Sequence, residues 1–174
     1  PNNPTGQVYS KESLDALGRL LKKKSRQFKR TIYLVADEPY RKIVYDVDVP
    51  SVFDVYPHTI MLTSYSKELS LAGERIGYLA VHPMAEDAAM IAGAAGVTNT
   101  MMYVNAPALF QQVVGQLQGV SVDINIYRKR RDLFCEGLHA AGYEFDVPEG
   151  AFYLFPKSPI KNDLEFMTVL KKQN

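Results

Sequence analysis

The chain has 174 residues, 47% of them hydrophobic, with 20 basic against 19 acidic side chains and a formal net charge of +1. That balance leaves no global field to draw a polyanion, so no nucleic-acid partner is expected, and the apolar content suits one core or two small ones rather than a disordered chain. A single cysteine, Cys135, excludes an internal disulfide and fits a reducing, cytoplasmic compartment; no signal peptide is visible, and no apolar run approaches the ~18 residues that a membrane span needs.

In chain order, Asn2-Asn3-Pro4-Thr5-Gly6 reads by itself as a turn, with Asn3 ahead of a proline. Ser10 with Ser13, followed by Leu14, Leu17, Leu20 and Leu21, predicts a capped amphipathic helix. The basic run Lys22, Lys23, Lys24, Arg26, Lys29 and Arg30 lies at that helix's C-terminal end, where the macrodipole favours cations, and reads as a solvated helix end rather than a nucleic-acid patch. Ile32 to Ala36 is short, apolar and β-branched, and it ends in Asp37-Glu38-Pro39. It predicts a buried parallel strand with functional residues at its C-terminal edge. Ile60 to Ser64 repeats the pattern, and Ile76 to Val81 predicts a third strand. Met84 to Val97 predicts an Ala-rich helix, Ala106 to Leu117 another, and Asp123 to Ala141 a long charged one capped by Gly142. Tyr143 to Val147 and Ala151 to Phe155 predict two strands joined by Pro148-Glu149-Gly150, with a last helix from Leu164 to Asn174. Alternating strands and helices argue an α/β domain with ligands at the strand C-termini.

The chemistry concentrates at Ser64-Tyr65-Ser66-Lys67, which closes the second strand and is followed by Arg75 and Gly77. A lysine becomes a nucleophile near neutral pH only if its neighbours hold the amine neutral or it is tied up as an imine, and a Schiff base to an aldehyde cofactor does this. Two serines and an arginine beside it are the donors that a phosphate monoester requires. Taken singly, Lys67 would be a solvated surface lysine, and Asp37-Glu38 an acidic pair facing water. Three segments in one order change that: Asn2-Asn3-Pro4-Thr5-Gly6, then Tyr33-Leu34-Val35-Ala36-Asp37-Glu38-Pro39-Tyr40, then Ser64 through Tyr78. With them the chain resembles the class I/II aminotransferases of the aspartate aminotransferase fold, the fold-type I pyridoxal 5'-phosphate (PLP) enzymes, from Pro1 to about Pro156.

The resemblance implies an internal fragment of an α/β protein. Residues 1–122 would be part of the PLP-transferase large domain, a mostly parallel sheet with flanking helices, and residues 123–174 an interdomain helix with the start of a small α+β domain. It implies PLP held by Lys67 as an internal aldimine, Asp37 on the pyridine nitrogen, Tyr40 and Asn3 on the phenolic oxygen, and Ser64, Ser66 and Arg75 on the phosphate. For Arg75 an ion pair with Glu74 or Asp37 is the structural alternative, and Gly77 is expected to allow close backbone approach. Tyr103 and Asn105 fall where family dimers approach the neighbouring active site, and Glu149 to Tyr153 resembles a strand lying over the substrate, its aromatics read as packing. His58, His82 and His139 lie apart without ligand spacing, so no metal site is expected.

The reaction so implied is transamination between an amino acid and a 2-oxo acid, in a cytoplasmic homodimer with no membrane partner. The alternatives are a PLP-dependent lyase or another fold-type I reaction, or a non-catalytic PLP-binding or dimerisation module. The family's glycine-containing phosphate loop, its ring-stacking aromatic and its substrate-carboxylate arginine have no counterpart in these residues, so the isolated piece is expected to be inactive.

Overall fold

The computed structural model describes residues 1–173; Asn174, at the end of the last predicted helix, lies outside them. Helix α1 (Lys11–Phe28) begins where the sequence places its cap: Ser10 is extended, and its side chain accepts a hydrogen bond from the Ser13 amide at 3.1 Å. Leu14 and Gly18 are the buried face of the helix. At Gly18 the chain approaches the Val55 carbonyl so closely that an added Cβ would lie 2.6 Å from its oxygen. The helix stops at Lys29, which takes a left-handed conformation while the basic residues around it remain exposed.

Three strands follow, β1 (Leu34–Asp37), β2 (Thr59–Ser64) and β3 (Gly77–Val81), in the order β1-β2-β3. The pair β1/β2 is parallel, with Leu34 opposite Thr59 and Asp37 opposite Leu62. The pair β2/β3 is antiparallel, Ile60 opposite Val81 and Ser64 opposite Gly77. The link between β2 and β3 holds only the one-turn helix α2 (Tyr65–Glu68) and turns, too little for the crossover that a parallel return requires. The expected burial of β1 does not hold: Val35 is 57% exposed, because it lines an open cavity instead of packing under a helix.

Helix α3 (Ala88–Met102) starts later than the sequence suggests, because Asp87 adopts a left-handed conformation that no helical turn accommodates, and it runs on through Thr98-Asn99-Thr100. None of its residues is buried. Helix α4 (Ala108–Gln116) packs Val114 against Tyr65 and Ile76, forming one small core. Helix α5 (Ile124–Ala140) is capped by Asp123, whose carboxylate accepts from the Asn125 amide at 2.9 Å. It closes as the sequence predicts: Gly142 has φ +83°, and the amides of Gly142 and Tyr143 donate back to the carbonyls of His139 and Leu138.

The two strands expected over Tyr143–Val147 and Ala151–Phe155 do not form. Among the described residues the segment forms no ladder: an isolated bridge joins Val44 and Gly150, one amide bond runs from Lys157 to Glu144, and its other long-range backbone bonds go to Gly6, Ile43 and Tyr45. Pro148 and Pro156 bring no amide donor to a ladder, and Ala151 at φ +57° breaks the extended path. That kink is held from both sides, since the fully buried Ala151 donates its amide to the Ile43 carbonyl at 2.8 Å and accepts from the Tyr45 hydroxyl at 2.5 Å. Tyr40, Ile43, Tyr45 and Ala151 form the second small core, with Ile124, Tyr127 and Tyr153 packed against it. Helix α6 (Asp163–Gln173) ends the described chain.

The glycines of α1 and α5 separate two opposing effects. Gly137→Ala, in open space on α5, should stabilise the chain by roughly 0.5–1 kcal/mol through helix propensity. Gly18→Ala should instead lower the urea midpoint, because overpacking against the Val55 carbonyl costs about 1–3 kcal/mol and outweighs that gain.

Candidate active site

The parallel pairing of β1 and β2 sets their C-terminal ends side by side, and pairing continues one step further: the Glu38 amide donates to the Leu62 carbonyl at 2.8 Å, and the Thr63 hydroxyl donates to the Glu38 carbonyl at 3.1 Å. Beyond β1, Pro39 turns the chain and Tyr40 becomes buried. Ser64, the last residue of β2, stands at the N-cap of α2 without making a side-chain capping bond, and Lys67 sits within the single helical turn, half-buried like Ser66. Gly77 pairs opposite Ser64, and a Cβ there would collide with the Thr63 carbonyl oxygen, so the close backbone approach expected of this glycine is present beside the lysine.

The acidic residue that ends β1 and the one that follows it have different surroundings. Glu38 is held by Arg41 at 2.8 Å, and the same guanidinium donates to the carbonyls of Val49 and Pro50. The Asp37 carboxylate is exposed and has no hydrogen bond or ion pair among the described residues. Glu68, buried beside Lys67 in sequence, is paired with Lys42 at 3.3 Å.

Asn3, Asp37 and Tyr40 line one cavity of about 680 Å³, which is walled on its other side by α1. Asn3 gets there on a tight turn: the Gly6 amide donates to the Asn2 carbonyl at 2.8 Å, and the Gly6 carbonyl accepts from the amides of Glu149 and Gly150. Lys67, Ser64, Ser66 and Arg75 are not among the walls of that cavity. Lys67 is linked to Tyr40 through a third residue, its Nζ lying 5.6 Å from the Phe152 ring centre while Tyr40 meets the same ring edge-to-face at 5.4 Å. Arg75 is exposed and turns back, donating to the Ala72 carbonyl at 2.8 Å; it makes no hydrogen bond or ion pair with Ser64, Ser66, Glu74 or Asp37 among the described residues. Tyr103 and Asn105 are also exposed, and Asn105 donates to the neighbouring Ala106 carbonyl.

Two residues whose contacts the sequence did not announce enter here. Tyr153 meets Tyr40 hydroxyl to hydroxyl at 2.5 Å, and Phe152 covers the lysine. The available signal was an adjacent aromatic pair after Gly150, which reads equally as packing. Burial pushes the Tyr40 phenol far above its ordinary range, and the Tyr153 hydroxyl and the Asp37 charge push the same way. Burial also raises Tyr45, and it raises the Cys135 thiol, which suits a packed side chain and not a nucleophile. Among the described residues no group of three His, Cys, Asp or Glu gathers to hold a metal, and no helix is long and apolar enough to cross a membrane.

The whole of residues 1–174 matches the family model for aminotransferase class I and II. The aspartate aminotransferase of Thermotoga maritima is 32% identical over 160 residues, covering 90% of this chain and 40% of that protein. The aspartate/prephenate aminotransferase of Thermus thermophilus is 37% identical over 168 residues, covering 94% of this chain and 42% of that one. An aminotransferase structure from Eubacterium rectale superposes with a TM-score of 0.94 at 46% identity over 99% of this chain and 44% of its own. With an α/β fold and a lysine just past a strand end, the chain belongs to the class I and II aminotransferases, and its mixed architecture is that of the aspartate aminotransferase fold. It spans about two-fifths of the length of the relatives it matches.

The raised tyrosines have a signed consequence for stability. The unfolded chain releases its phenolic protons near the ordinary pKa of about 10, whereas Tyr40 and Tyr45 retain theirs in the fold, so above that pH the folded state binds more protons and stability falls as pH rises. Melting followed by circular dichroism should show the midpoint falling as the pH rises past about 10, with a smaller fall in Tyr45→Phe.

Proposed function

We propose that this chain carries part of the active site of a PLP-dependent aminotransferase that moves an amino group between an amino acid and a 2-oxo acid. The observation that carries the reading is the arrangement at one sheet edge: a lysine in the turn after β2, and at the end of the parallel neighbour β1 a carboxylate without a partner among the described residues. The donor set fits the cofactor, with an amine for its aldehyde, a carboxylate for its pyridine nitrogen, an amide and a phenol for its phenolic oxygen, and hydroxyls with a guanidinium for its phosphate. When bound, PLP supplies an electron sink for the charge left at the substrate Cα.

In this reading Lys67 would hold the cofactor by condensing with its aldehyde, with loss of water, and its Nζ, freed by the substrate amine, would be the base that carries the proton from the substrate Cα to the cofactor's former aldehyde carbon. Asp37 holds the pyridine nitrogen in its protonated form, which it is free to do because Arg41 occupies Glu38 instead. Tyr40 and Asn3 donate to the phenolic oxygen, while Ser64, Ser66 and Arg75 bind the phosphate; Arg75 would have to give up its bond to Ala72 to do so. Residues 1–122 belong to the large domain and 123–174 to the interdomain helix and small domain.

Borohydride reduction with PLP should fix the cofactor on the peptide containing Lys67. Lys67→Ala should lose that label and lower transamination by at least about 10²-fold. Label on another lysine with undiminished turnover would remove the assignment. Product analysis separates the reaction types: an aminotransferase consumes the amino acid only with a 2-oxo acid acceptor, whereas a lyase releases ammonia without one.

The working unit in this proposal is a cytoplasmic homodimer. Met90, Val97, Met101 and Tyr103 expose an apolar surface along and just beyond α3 that supports contact with a second copy. Light scattering on the full-length protein should give the mass of two chains, shifting toward one in Met101→Lys; a wild-type mass of one chain would count against association.

A further inference from the structure

The pairing of Tyr40 with Tyr153 carries a consequence beyond the transaminase reading, on which it rests. We infer that Tyr153 is a positioning residue for Tyr40, its hydroxyl donating to the Tyr40 oxygen so that the Tyr40 proton is directed at the phenolic oxygen of the bound cofactor. A phenol has one proton to give and lone pairs to accept with. The two hydroxyl oxygens are 2.5 Å apart, so one proton lies between them. If Tyr40 spends its own proton on the cofactor, the proton on the shared axis belongs to Tyr153. The direction is therefore Tyr153 to Tyr40 to phenolic oxygen, and a chain of donors polarised in one sense makes its last member the stronger donor.

The backbone enforces the distance. Residues 43–45 and 149–151 are zipped by amide bonds from Tyr45 to the Glu149 carbonyl and from Ala151 to the Ile43 carbonyl, both 2.8 Å. The Tyr45 hydroxyl closes the same seam on the Ala151 carbonyl. From that anchor the Tyr153 ring meets Tyr40 edge-to-face at 5.4 Å, and Phe152 completes a triangle of rings, 5.1 Å from Tyr153 and 5.4 Å from Tyr40. The charged groups near the pair are Asp37, whose negative charge favours the neutral form of Tyr40, and Lys67, whose Nζ lies 5.6 Å from the centre of the Phe152 ring. Burial and the shared hydrogen bond keep Tyr40 protonated through the neutral range, the state in which it can donate.

The test is the pH midpoint of the bound cofactor's visible absorbance in the full-length protein, measured in wild type, Tyr153→Phe, Tyr40→Phe and the double variant. Tyr153→Phe should raise the midpoint by roughly half a unit to one unit, about 3- to 10-fold in proton affinity, because the phenolate form loses stabilisation; Tyr40→Phe should raise it further. In the Tyr40→Phe background the second change should add nothing, since Tyr153 acts through Tyr40. An unmoved midpoint in Tyr153→Phe, or the same shift in both backgrounds, overturns the assignment. Absence of borohydride label on Lys67 in wild type would instead overturn the transaminase reading, and this inference with it. A cofactor-free measurement stands beside these and needs no variant to fold: in protein carrying carbon-13-labelled tyrosine at neutral pH, the ring protons of Tyr40 and Tyr153 should show a direct through-space contact, as their edge-to-face packing at 5.4 Å requires. No contact between the two rings would overturn the pairing.

Discussion

The parallel pairing of β1 with β2, with Asp37 opposite Leu62, makes two segments distant in sequence end at one edge of the sheet. A strand end is where the chain is released from its ladder, so its next residues can turn and present side chains while their backbone stays anchored. Asp37 and Ser64 are the last paired residues of β1 and β2, and Tyr40 after β1, like Ser66 and Lys67 after β2, uses this freedom. The glycine opposite Ser64 extends the constraint to β3, because any larger residue there would push the antiparallel strand away from the turn that holds the lysine.

A second constraint closes the site from the other end of the chain. The turn at Gly6 accepts two amides from Glu149 and Gly150, Val8 donates to the Glu149 carboxylate, and the seam between residues 43–45 and 149–151 adds further bonds. These contacts join residues more than a hundred positions apart in the chain. They fix Phe152 over Lys67 and Tyr153 against Tyr40, so the aromatic cover of the lysine depends on backbone bonds and does not rely on apolar packing alone.

Charge is partitioned in the same spirit. Glu38 and Glu68, each adjacent to a candidate residue, are neutralised by Arg41 and Lys42, whereas Asp37 keeps its carboxylate unpartnered among the described residues. A carboxylate with a protein cation beside it would have little left to offer a ligand cation, so this division leaves Asp37, and not its neighbour, as the carboxylate open to one. The exposed Arg75 is the exception, since its guanidinium is engaged with a nearby carbonyl.

Much of this was legible along the chain because its signals are local. The serine cap of α1, the glycine that ends α5, the apolar runs of the three strands and the placement of Asp37, Tyr40, Ser64, Ser66 and Lys67 at or just past strand ends each depend on a few neighbouring residues. What the sequence could not supply were outcomes of contacts between distant segments. The antiparallel return of β3, the exposure of β1, the failure of residues 143–155 to pair as strands and the meeting of Tyr40 with Tyr153 all belong to that class. Turn, cap and strand propensities are set by nearest-neighbour sterics and hydrogen bonding and so can be read residue by residue. A ladder or a hydroxyl pair exists only when another part of the chain arrives at the right distance, and that was decided by the tertiary structure alone.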